Sequence, residues 1–95
     1  MFKITNGKGV NIKFDNGYAI SIQWGPFNYC ENYVSSTGAT EVEAGERGSV
    51  TAEIAIFDPD GEFYQPEGED WGDDVHGYCN VAYVLKIMNH VASLQ

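Results

Sequence analysis

Two alternating runs flank Asp15-Asn16-Gly17, and between them they admit one hairpin register. Val10, Ile12 and Phe14 alternate with Asn11, Lys13 and Asp15. Tyr18, Ile20 and Ile22 alternate with Ala19, Ser21 and Gln23, and Trp24 continues the apolar face. This is the period of half-buried strands, and Asn-Gly between two such runs marks a hairpin. A two-residue loop, Asn16-Gly17, would set Phe14 opposite Ala19 and Ile12 opposite Ser21, mixing apolar and polar faces. A three-residue loop, Asp15-Asn16-Gly17, pairs Phe14 with Tyr18, Ile12 with Ile20 and Val10 with Ile22. Because a slip of one residue turns every side chain to the other face, the second register is expected. Gly17 then takes the left-handed position of a type I turn with a G1 bulge.

The rest of the chain follows the same grammar. Phe2-Lys3-Ile4-Thr5 reads as a short strand before the turn Asn6-Gly7-Lys8-Gly9. Gly25-Pro26 closes the second hairpin strand, and residues 25–48 form a loop-rich connection. Val50, Ala52, Ile54 and Ile56 alternate with Thr51, Glu53, Ala55 and Phe57, giving the next strand. Asp58-Pro59-Asp60-Gly61 carries type I turn chemistry, with proline preset at the second position. Glu62-Phe63-Tyr64 returns as a short strand, and residues 65–77 read as a loop.

From Asn80 the period changes. Val81, Val84, Ile87, Met88, Val91 and Leu94 share one helical face, widened by Leu85 and Ala92. The spacing predicts a helix of about 15 residues, capped by Cys79 or Asn80. The expected fold class is α+β: a small antiparallel β-sheet of four to five strands built from hairpins and packed by one C-terminal α-helix. Residues 1–95 make a single domain.

Charge is where the chain departs from an ordinary small globule. Residues 1–40 carry Lys3, Lys8 and Lys13 against Asp15 and Glu31, a net of +1, whereas residues 41–95 carry Arg47 and Lys86 against twelve acids, a net of -10. Eight carboxylates fall between Asp58 and Asp74. An aromatic content of 14% excludes a disordered acidic chain. A one-signed field of this kind repels nucleic acid and anionic lipid and attracts basic surfaces. No apolar stretch is long enough for a membrane helix. The N-terminus has no apolar signal region, so the expected compartment is the cytoplasm. There, Cys30 and Cys79 are expected as free, packed thiols rather than a disulfide framework.

No catalytic constellation is present. Asp58-Pro59-Asp60-Gly61-Glu62 resembles part of a calcium loop, but its glycine comes too early and no flanking helices are readable. His76, Cys79 and Cys30 could supply three soft zinc ligands, with Asp73, Asp74 or His90 as a fourth. Structural zinc sites pair close ligands on both sides, however, and Cys30 stands alone. Gly7-Lys8-Gly9 lacks the spacing of a phosphate loop. The expectation is therefore no metal, no cofactor and no catalytic residue. Part of the acidic run is explained by the 58–61 turn. The remainder, Glu67, Glu69, Asp70, Asp73 and Asp74 around Trp71, is the candidate partner-binding segment. Trp24, Asn28 and Tyr29, clustered around a turn, are the candidate contacts for a small ligand such as a nucleotide.

Several segments together resemble a family. Ile4-Thr5-Asn6-Gly7-Lys8-Gly9, Ile12-x-Phe14-x-Asn16-Gly17, Ser21-Ile22-Gln23-Trp24-Gly25 and Asn28-Tyr29-Cys30-Glu31-Asn32 are similar to segments of a small protein encoded in tailed-phage and prophage genomes. Ala52-Glu53-Ile54-Ala55, the Asp60-Gly61 turn and the short C-terminal helix continue the likeness. The resemblance implies a phage context, carries no assigned activity and transfers no functional residue. Together with the charge it gives the leading expectation, a non-enzymatic phage protein that docks its acidic segment on a basic surface of a host protein. A defence or nucleic-acid enzyme would be such a host, inhibited in the manner of an anti-CRISPR protein or a DNA mimic. The alternatives are a nucleotide-binding or sequestering module and a virion or assembly component. Direct binding to nucleic acid or membrane is not expected.

Overall fold

The computed structural model describes residues 2–4, 9–24 and 51–95, the first of these as backbone. Five strands form one antiparallel sheet in the order of the chain: β1 (Phe2–Ile4), β2 (Gly9–Lys13), β3 (Ala19–Gln23), β4 (Thr51–Phe57) and β5 (Val75–Asn80). A single described helix, α1 (Val81–Ala92), follows β5 directly. The fold is α+β, as the sequence predicts.

The first hairpin has the expected register. Val10 pairs with Ile22 and Ile12 with Ile20. Phe14 N–H donates to Tyr18 O at 2.8 Å, and Gly17 N–H donates to Phe14 O at 3.0 Å. Gly17 sits at φ +89°, the left-handed conformation that a G1 bulge reserves for glycine. A β-carbon there would also press on Pro59 Cβ at 3.1 Å, so the tips of the two hairpins touch. The second tip repeats the first. Gly61 N–H donates to Asp58 O at 2.9 Å, Asp58 N–H donates to Glu62 O at 2.8 Å, and Gly61 lies at φ +85°.

Across the gap in the described chain, β3 pairs with β4 so that Ile20 faces Ile56 and Ile22 faces Ile54. Ile20, Ile54 and Ile56 are fully buried beneath Ile87 and Val91 of α1. Burial of a side chain of this size contributes about 1.5–3 kcal/mol. These five form the centre of the core, and Ile12, Phe14, Tyr18, Tyr64 and Val84 pack around them.

Three expectations are corrected. Residues 75–77, read as the end of a loop, begin β5. Val75 pairs with Ala55, His76 with Ile54 and Cys79 with Ala52. The strand was hidden because a bulge between the Ala52 and Ile54 pairings inserts one residue and breaks the period of two. Tyr78 lies in that bulge at φ +56°, a left-handed value unusual for a bulky side chain. The Glu62-Phe63-Tyr64 return is reduced to a single bridge, Phe57 with Phe63, because the same edge of β4 is taken by β5 further back. The helix is shorter than expected and its buried face narrower. It ends at Ala92, and Val81 and Leu85 are 78% and 57% exposed. Asn80 is the cap, its Oδ1 accepting from Tyr83 N–H at 2.8 Å.

Candidate functional site

The acidic segment runs from the second hairpin tip back to β5, and the structure pins it at its middle. Trp71 is buried, 8% exposed, and its indole N–H donates to Tyr83 Oη at 2.8 Å. The same hydroxyl donates to Glu69 Oε1 at 2.7 Å. Lys86 Nζ stands 3.5 Å from Glu69 Oε2 and 5.6 Å from the centre of the Tyr83 ring. His76, on β5, stacks on Trp71 with ring centres 5.2 Å apart and planes 7° from parallel. On its other contact it meets Tyr83 at 5.5 Å. One loop tryptophan, one strand histidine and one helix tyrosine therefore interlock.

The backbone of the loop is tied as well. Pro66 is buried, Glu69 N–H donates to Pro66 O at 3.1 Å, and the Gln65 side-chain amide donates to Asp73 O at 2.8 Å. Asp73 Oδ1 accepts from Asp74 N–H at 2.7 Å.

This sorts the sequence-derived candidates by role. Trp71 and Glu69 bind the loop to α1. The segment is not one that local structure leaves unexplained, because its tryptophan completes the core. Glu67, Asp70, Asp73 and Asp74 remain exposed, and Asp60 and Glu62 at the hairpin tip are exposed too. Among the described residues, Glu69 is the one carboxylate of this segment with an ion-pair partner. A positioned loop thus carries four outward carboxylates that have no ion-pair partner among the described residues.

The electrostatics of the pin follow from its contacts. The hydrogen bond from Tyr83 holds the Glu69 carboxyl below its ordinary value, and Lys86 adds to this. Burial, then the hydrogen bond to Glu69, pushes the Tyr83 hydroxyl up to about 12. Each therefore keeps the protonation state that the bond requires across the neutral range.

The small-ligand candidates divide differently. Asn28 and Tyr29 lie outside the described residues, as does Cys30. Trp24 lines an open groove of about 430 Å³ between α1 and the sheet, with Ile22, Ala52, Cys79, Val84, Leu85 and Met88 among its walls. Among the described residues its walls are almost wholly apolar and hold no charged side chain. Cys79 is buried, its thiol pushed up to about 11 by burial and then by Glu53, and its Sγ lies 3.4 Å from His76 O. His76 faces the Trp71 and Tyr83 rings. Among the described residues no group of three metal-ligating side chains comes together, and no helix is long and apolar enough to cross a membrane.

Sequence reasoning missed Tyr83. Tyr83 flanks the apolar stripe of α1, one turn before the buried Ile87, but its position three residues after the cap gave no sign of a partner in the loop. No protein-family model, curated protein or solved structure matches the chain.

Proposed function

We propose that this chain is a non-enzymatic binding protein, of phage origin, that docks its acidic loop on a basic surface of a host protein. A host defence or nucleic-acid enzyme, whose working groove is built to take phosphates, offers such a surface. The observation that carries this reading is the pinning of Glu67, Asp70, Asp73 and Asp74 by Trp71, Tyr83 and Glu69. Carboxylates on a floppy tail lose conformational freedom on docking, whereas carboxylates on an ordered loop have already lost it in folding. A one-signed patch steers and orients a basic partner. Association of this kind weakens as salt screens exposed charge. Capture of host proteins by the immobilised chain, compared at low and high salt, tests it. A basic partner retained at low salt and released at high salt is expected. Equal capture by the triple variant Asp70→Asn/Asp73→Asn/Asp74→Asn would refute it.

A second reading rests on the groove beside Trp24. Its size suits a small ligand, but its apolar walls suit an uncharged ring or aliphatic chain, not the phosphates of a nucleotide. Ligand selective for the folded state raises the melting temperature. A panel of nucleotides and uncharged aromatic compounds therefore separates the two chemistries.

A further inference from the structure

We draw no further inference here: the strongest candidate, the apolar groove between the N-terminal half of α1 and strands β3 to β5, already carries the second reading above, and nothing in the structure shows what covers it.

Discussion

The side-chain amide of Asn16, at the tip of the first hairpin, donates to the carbonyl oxygen of Leu94, beyond the end of α1, at 2.8 Å. The same nitrogen donates to Val91 O at 2.9 Å, while Asn16 Oδ1 accepts from Tyr18 N–H at 3.0 Å. The last carbonyls of a helix have no partner within it. Here a residue chosen for a turn supplies one from the opposite end of the chain. Asn16→Ala removes these three bonds and should cost about 3 kcal/mol, taking each net hydrogen bond at about 1 kcal/mol. Asn16→Asp should cost more, because it sets a carboxylate against the negative end of the helix dipole. Equilibrium unfolding in urea measures both. An Ala variant as stable as the parent would show that the helix end is not satisfied by this side chain.

Gly17→Val tests the hairpin register. A left-handed residue other than glycine costs about 1–2 kcal/mol. The added side chain would also meet Pro59 across the two tips. A loss of at least 2 kcal/mol is expected, on the order of a 10 °C fall in melting temperature for a chain of this size. An unchanged melting temperature would contradict the register.

Tyr83→Phe leaves the net charge alone and removes both bonds of the pin. The indole N–H of the buried Trp71 then has no partner, at a cost of about 1–3 kcal/mol. Hydrogen exchange should quicken in residues 66–74 before it quickens in β3 or β4. Exchange that rises uniformly, or not at all, would mean that the loop is held by other contacts.

The pH dependence has a definite sign on each side. Glu69 is lowered in the fold by its bond from Tyr83, so its contribution is present above the ordinary carboxylate value and fades as pH falls through the lowered one. Cys79 and Tyr83 are raised, to about 11 and about 12, chiefly by burial. Their contribution is complete below their ordinary values of 9.0 and 10.0 and is lost as pH climbs through the raised ones. Denaturation midpoints across the alkaline range should therefore fall, and Cys79→Ala should make the first part of that fall shallower. Parallel curves for the parent and the variant would exclude the thiol as a cause.

What could be read from the sequence was what local chemistry dictates. The first hairpin register follows from matching two apolar faces, and the 58–61 turn and a helix cap at Cys79 or Asn80 follow from side chains acting within a few residues. β5 escaped because its bulge at Gly77-Tyr78 breaks the alternation that announces a strand. The exposure of Val81 and Leu85 escaped because periodicity names an apolar face but not how far the sheet extends beneath it. In the candidate site, the outward carboxylates were visible as composition. The roles of Trp71 and Glu69 were not, because their partner Tyr83 is fixed only once α1 has packed on the sheet.

The proposed function requires the pinned carboxylates, and not the apolar groove, to make the contact with a partner. Capture from host lysate at low salt should be run in parallel with the parent, the Asp70→Asn/Asp73→Asn/Asp74→Asn variant and a Leu85→Ser variant, each first shown to be folded. One basic partner should be held by the parent and by Leu85→Ser, released by salt and lost from the triple variant. A partner held by the triple variant and lost from Leu85→Ser would contradict it.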